Sequence, residues 1–169
     1  MSDRDGLIEQ HIPRLRRYAR ALTGDRAAAD DLVQDTLERA LSRFHLWRQG
    51  SDLRAWLFTI MHNIFVNQVR SRARRYHESL ETEPAAEAAS APEPDWLELR
   101  DIASALARLP QEQRAVVLLV GLEQFTYDEA AQVLGVPIGT VMSRLSRARA
   151  RLRVLLGGDF KVSSLKVVK

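Results

Sequence analysis

The chain contains no cysteine among its 169 residues, which removes disulfide frameworks, thiolate zinc sites and redox thiols together. Lysine is nearly absent as well, occurring only at Lys161, Lys166 and Lys169, so the base of the body is all arginine. No unbroken aliphatic run is longer than Ala115 to Val120, far short of the ~20 residues that a membrane helix needs. Charge replaces an apolar leader at Met1-Ser2-Asp3-Arg4. Neither membrane insertion nor export is therefore expected, and the location expected is cytoplasmic. The four histidines, at positions 11, 45, 62 and 77, lack metal-ligand spacing, and no Gly-rich phosphate loop or nucleophile motif occurs. Catalysis, a metal and a cofactor are all unexpected.

A hydrophobic share of 46% is that of a folded protein, and the length suits one ordinary domain or two small ones. Formal net charge is only +3, yet the pI is near 9.7. The stretch from Phe125 to Leu156 organises the rest. Thr126 reads as an N-cap with Glu129 at the capping-box position, so a helix is expected from Tyr127. Ala130, Ala131 and Leu134 form its apolar stripe, and Gly135 closes it in the left-handed conformation. Val136-Pro137 makes a turn, and a second helix runs from about Ile138 with Val141, Leu145, Ala148 and Leu152 inward. Two short helices with a Gly-containing turn form the helix-turn-helix pattern, whose second helix enters a DNA major groove. Thr140 to Arg153 holds five arginines and no acid, a run that attracts phosphates. A solvated basic face on a core helix would carry the same run.

Ile8, Ile12, Leu15, Ala19 and Leu22 recur at helical spacing up to Thr23-Gly24, with Pro13 in the first turn or marking a break before it. Asp25 caps the next helix, with Ala29, Leu32, Val33, Thr36, Leu37, Ala40, Leu41 and Phe44 inward. Its outer face crowds Asp30, Asp31, Gln34, Asp35 and Glu38 into the first half, where the helix dipole favours acid, followed by Arg39 and Arg43. That face suits a basic partner, and a merely solubilising surface equally well. After a loop over residues 44–51 with a Ser51 or Asp52 cap, a helix from Leu53 to about Arg75 departs from simple amphipathicity. Leu53, Trp56, Leu57, Ile60, Met61 and Ile64 suffice for a core stripe, yet Phe58, Phe65 and Val66 lie on other faces beside Arg54, His62, Asn63 and Asn67. Rings, amides and the basic end of Arg70, Arg72, Arg74 and Arg75 suit unstacked bases and their phosphates. A helix packed on all sides would show the same aromatics.

Residues 77–95, HESLETEPAAEAASAPEPD, are rich in Glu, Ala and Pro and read as a flexible acidic linker. The second unit opens with Asp95 as N-cap and Glu98 in the box position. Leu99, Ile102, Leu106 and Leu109 carry its first helix, and another starts near Pro110 with Ala115 to Val120 as the centre of a small core. The expected class is all-α: two small helical domains over residues 1–76 and 96–157, joined by the flexible linker, the second containing the helix-turn-helix and followed by a compositionally distinct tail, 158–169.

Four stretches, DDLVQDTLERAL at Asp30–Leu41, LRAWLFTIMHN at Leu53–Asn63, LARLPQEQRAVVLL at Leu106–Leu119 and FTYDEAAQVLGVPIGTVMSRLSRARARLR at Phe125–Arg153, resemble the bacterial RNA polymerase sigma factors of the extracytoplasmic-function group. The last alone is similar to many helix-turn-helix activators, whereas the first two do not occur with those. The resemblance implies a non-enzymatic protein that binds core polymerase, through the β′ clamp helices and the β subunit, and directs it to promoter DNA. Asp30, Asp31, Gln34, Asp35 and Glu38 would dock on the clamp helices. The helix from Leu53 would open the −10 element through Arg54, Phe58, Asn63, Asn67, Arg70 and Arg74, with the loop near Gln49–Leu53 helping to hold an extruded base. The recognition helix would read the −35 element, with Met142, Ser143, Ser146 and Arg147 toward base edges and Arg144 and Arg149 toward phosphates. Met142 stands where many relatives carry Lys or Arg. An anti-sigma partner is also implied. Two other classes compete: a stand-alone dimeric regulator, which leaves the acidic face and the aromatic helix without a role, and an adaptor that only sequesters a protein through that face, for which Arg147 and Arg149 are dispensable.

Overall fold

The computed structural model describes residues 2–78 and 97–157. The expected Asp95 cap, the linker beyond Glu78 and the tail 158–169 lie outside these residues. The described residues hold helices and no strand: α1 (Asp3–Glu9), α2 (Ile12–Thr23), α3 (Arg26–Ser42) and α4 (Leu53–Glu78), then α5 (Leu97–Ala107), α6 (Gln111–Val117), α7 (Tyr127–Leu134) and α8 (Ile138–Leu155). None of these helices is long and apolar enough to cross a membrane.

Local chemistry fixes most boundaries. The chain breaks at Gln10 and His11 because Pro13, without an N–H, fits only the first turn of a new helix. Gly24 ends α2 at φ 69°, where a residue without Cβ meets no penalty. Asp25 then accepts the Ala28 N–H at 2.9 Å and starts α3, and Asp52 does the same for Ala55 at 3.2 Å before α4. α3 packs against both α2 and α4. The buried Thr36 returns its hydroxyl to the Leu32 carbonyl at 2.7 Å, so the core keeps no orphan donor there. Leu41, expected inside, is 48% exposed, because the buried line through Thr36 and Ala40 leaves the next residue about 100° further round the helix.

In the second domain α6 and α7 both pack on α8. Between α6 and α7 the helix widens into a π turn over Leu118–Leu122, with Glu123 N–H reaching back to the Leu118 carbonyl at 2.9 Å. Such a turn inserts one residue and re-aims the chain beyond it. Gln124 comes next at φ 58°, the single non-glycine among the described residues in the left-handed region. Together they turn Glu123 and Phe125 inward, both buried. They turn toward the first domain, because the two domains pack on each other. Leu15, Leu22, Leu57, Phe58 and Met61 join Leu119, Phe125 and Val133 in one hydrophobic cluster, a continuity that the picture of two tethered units does not contain.

Candidate nucleic-acid and protein-docking surfaces

The helix-turn-helix forms as its sequence dictates. Thr126 Oγ1 accepts the Glu129 N–H at 3.2 Å, Gly135 closes α7 at φ 65°, and Val136 N–H bonds the Ala131 carbonyl at 3.1 Å. With Val141, Leu145, Ala148 and Leu152 buried, the opposite face of α8 presents Met142, Ser143, Ser146 and Arg147 to solvent. Ser143 donates its hydroxyl proton to the Thr140 carbonyl at 3.1 Å, which leaves its oxygen as an acceptor. Arg144 turns away from this face. Its side chain is only 22% exposed and its guanidinium stands 3.7 Å from the Glu112 carboxylate of α6. Arg149 is half-buried, and Arg151 and Arg153 are exposed.

Along α4, Asn63, Asn67, Arg70 and Arg74 are all exposed, and steps of four, three and four keep them on one stripe. The stripe borders a cleft of about 710 Å³ between the domains, floored by Ile60, Phe65 and Val136 and edged by Arg39, Arg43 and Arg144. His62 lies in this cleft with Nδ1 buried and unpartnered by protein. Burial first, and Arg144 second, push its pKa down to about 4, so the imidazole is neutral at ordinary pH. In sequence Arg39 and Arg43 suggest only favourable helix-dipole placement; their part in the cleft needs the second domain to be seen.

Two expected −10 residues lie elsewhere. Phe58 is fully buried, edge-on to Tyr18 and to Phe125 with ring centroids 5.2 Å apart in both cases, so it has no face to offer a base. Arg54 places its guanidinium 4.1 Å from the Phe125 ring centroid, with Nη1 donating to the Glu123 carbonyl and Nη2 to Glu129 Oε2, each at 3.2 Å. The reason is geometric. At roughly 100° per residue, Arg54 and Phe58 fall on the far side of α4 from Asn63 and Asn67. Glu129 thereby serves Arg54, whereas the capping-box pattern assigns its carboxylate to the start of its own helix.

The contact between the domains contains residues that sequence reasoning missed. Glu123 has a fully buried side chain, and its Oε1 accepts both Nε and Nη2 of Arg17 at 3.1 and 2.9 Å. Glu123 Oε2 and the Tyr18 hydroxyl are buried without a protein partner. Burial, with the Glu123 charge second, holds the Tyr18 hydroxyl far above its usual range and protonated. Arg114 gathers the carbonyls of Leu106, Ala107 and Leu109 at the end of α5 and of Leu22 at the end of α2, at 2.8–2.9 Å. A cation there meets the negative ends of two helix dipoles. Its place at the head of an apolar run, Ala115 to Val120, is the one signal in the sequence.

Asp30, Asp31, Gln34, Asp35 and Glu38 are all exposed on α3. Gln68 of α4 donates to Asp35 Oδ2 at 3.3 Å, and Gln34 to Glu38 Oε1 at 3.5 Å. The face is otherwise open to a basic partner.

Comparison with known proteins fits this layout. Residues 8–62 match the family described as the Sigma2 domain of PhyR, and residues 99–152 match Sigma-70, region 4. The ECF RNA polymerase sigma factor EcfG of Rhodopseudomonas palustris is 41% identical over 155 residues, covering 88% of this chain and 82% of the relative. SigM of Mycobacterium tuberculosis, also an ECF RNA polymerase sigma factor, is 37% identical over 163 residues, covering 90% and 76%. The sigma factor RpoE of Bartonella quintana, solved with the anti-sigma factor NepR, superposes with a TM-score of 0.81 at 38% identity over 92% of this chain and 99% of the other. CnrH, solved with the cytosolic domain of CnrY, gives a TM-score of 0.66 at 31% identity over 92% and 88%.

Proposed function

This chain belongs to the extracytoplasmic-function (ECF) sigma factors of RNA polymerase, and from that premise we propose how its surfaces divide the work. The protein binds core polymerase, directs it to specific promoters and assists melting of the start region. Residues 2–78 form the domain that docks on polymerase and opens the −10 element, and residues 97–157 the domain that reads the −35 element. The α8 face of Met142, Ser143, Ser146 and Arg147 enters the major groove, with Arg151 and Arg153 placed to meet phosphates alongside. Arg144 and Arg149 sit nearer the protein and serve as phosphate contacts at the groove edge. Met142 supplies an apolar contact, which suits a thymine methyl.

The stripe of Asn63, Asn67, Arg70 and Arg74 takes the displaced single strand, amides toward base edges and guanidinia toward the backbone. The loop near Gln49–Leu53 borders the base that leaves the stack. Asp30, Asp31, Gln34, Asp35 and Glu38 dock on the β′ clamp helices, and further contact is made with the β subunit. An anti-sigma partner holds the protein inactive. That reading is supported by RpoE of Bartonella quintana and CnrH, each solved in such a complex or with a cytosolic partner domain. No chemistry of its own is required for any of these steps.

The observation that carries the reading is the exposed α8 face set on a helix-turn-helix whose first helix is capped by Thr126 and closed by Gly135. Its test is a footprint of the reconstituted holoenzyme on promoter DNA. The expected result is protection at −35 and permanganate-reactive thymines at −10. Arg147→Ala should lose about 1–3 kcal/mol of binding and relax sequence preference at one −35 position. Protection that is indifferent to Arg147 would remove α8 from base reading.

A further inference from the structure

The cleft of about 710 Å³ between the domains has the size that takes a small ligand, and its charge is of one sign. α3 lends it Arg39 and Arg43, α4 Arg70, α6 Glu112 and α8 Arg144. Four guanidinia thus face one carboxylate, which leaves the lining three positive charges in excess. Glu112 already stands 3.7 Å from Arg144, and none of Arg39, Arg43 and Arg70 is in an ion pair among the described residues. A solvated basic face spreads such groups along one helix. Here three helices bring them to one concavity, where walls of low dielectric focus the field on whatever enters.

The floor differs from the rim. Ile60, Phe65, Leu134 and Val136 make it apolar, and His62 keeps Nδ1 there, buried and unpartnered. Because that imidazole is neutral at ordinary pH, it offers a hydrogen bond rather than a fifth positive charge. An inorganic anion would leave the floor uncovered, and a fatty acid would bring one charge to a site with three in excess. We propose that the cleft binds a nucleoside polyphosphate, its ring on the apolar floor beside His62 and its phosphates among Arg39, Arg43 and Arg70. Guanidinium suits that place, since its planar fork pairs two phosphate oxygens at once. The site is not the single-strand surface of α4. Asn63, Asn67 and Arg70 form one rim of it, whereas Arg39, Arg43, Leu134 and Val136 have no part in the stripe. A strand also brings one charge per phosphate, and a terminal polyphosphate concentrates several at one point.

The full chain alone, without polymerase or promoter, serves for the test. GTP carrying a fluorescent N-methylanthraniloyl group on its ribose is titrated with the chain near physiological salt. Binding should be saturable at one per chain, and unlabelled GTP should displace the probe at least about tenfold better than GMP, guanosine or inorganic tripolyphosphate. Arg39→Gln and Arg43→Gln, both at exposed positions, should each weaken binding about five- to tenfold, with circular dichroism verifying the fold. Amide shifts in nitrogen-15 spectra of the chain with GTP should fall on both walls, along α4 and at Gln111 and Val136. No saturable binding below about 1 mM, or shifts confined to the exposed face of α8, would overturn the site. So would loss of binding in Arg74→Gln, a stripe residue outside the cleft lining, with none in Arg43→Gln, because the nucleotide would then be lying on the single-strand surface. Tripolyphosphate or a hexaglutamate peptide displacing the probe as well as GTP does would overturn the nucleotide as the occupant.

Discussion

His62 shows how a single side chain couples the domain contact to solution conditions. It lies in the cleft with Nδ1 unpartnered, and burial and Arg144 hold its pKa near 4 against 6.5 for the free group. The charges around it are Arg144 from α8, Glu112 from α6, Arg39 and Arg43 from α3 and Arg70 from its own helix. Because the folded pKa lies below the unfolded one, the unfolded chain binds the proton first. The stabilisation is therefore complete above pH 6.5 and declines as the pH falls toward about 4. The loss from this one group reaches about 2–3 kcal/mol. Urea unfolding of the wild type and of His62→Asn between pH 7.5 and 4.5 isolates it from the carboxylates. The wild type should lose stability more steeply than the variant; parallel curves would mean that His62 is solvated in solution.

At the scale of elements, the helix-turn-helix is the part most fully specified by local signals. Thr126, Gly135 and Pro137 each act within a few residues of themselves, so the cap, the stop and the restart are legible without the fold. Gly135 is open to test on that basis. A Cβ there would meet nothing within 4 Å, so Gly135→Ala carries backbone strain alone and should destabilise the chain by about 1–2 kcal/mol, measured by thermal or urea unfolding. A neutral substitution would mean that the turn relaxes out of the left-handed region. The α3 face supplies a second test. Asp31→Lys with Asp35→Lys should weaken binding of core polymerase and leave duplex DNA affinity of the full chain no lower; unaltered polymerase binding would reduce the face to a solvated surface. Elements whose faces are decided by distant partners are less legible. In α5, Leu99 is 54% exposed while Ala105, and Leu109 just beyond the helix, are buried, because α5 packs on α2 and α8. Phe58 and Arg54 look like DNA contacts in sequence because nothing near them names Phe125 and Glu129, their partners from the second domain.

At the scale of the whole molecule, the all-α class and the two helical domains follow from helical periodicity and caps, but the packing of one domain on the other does not. It depends on Glu123, a lone acid after an apolar run, and on a π turn that has no compositional signature. The resulting molecule has an exposed acidic face on α3, an amide and arginine stripe on α4 and an exposed face of Met142, Ser143, Ser146 and Arg147 on α8, with the Arg17–Glu123 ion pair between the domains. That arrangement is the one expected of an ECF sigma factor, which acts through the polymerase that takes hold of it. The measurement that tests this most directly is transcription from a library of promoter-bearing fragments by purified bacterial core polymerase, with and without the chain. The account predicts start-site-specific RNA only when the chain is added, and its loss in the Asp31→Lys, Asp35→Lys variant. No specific RNA with the chain, while an ECF sigma factor such as EcfG directs synthesis in a parallel reaction, would contradict it.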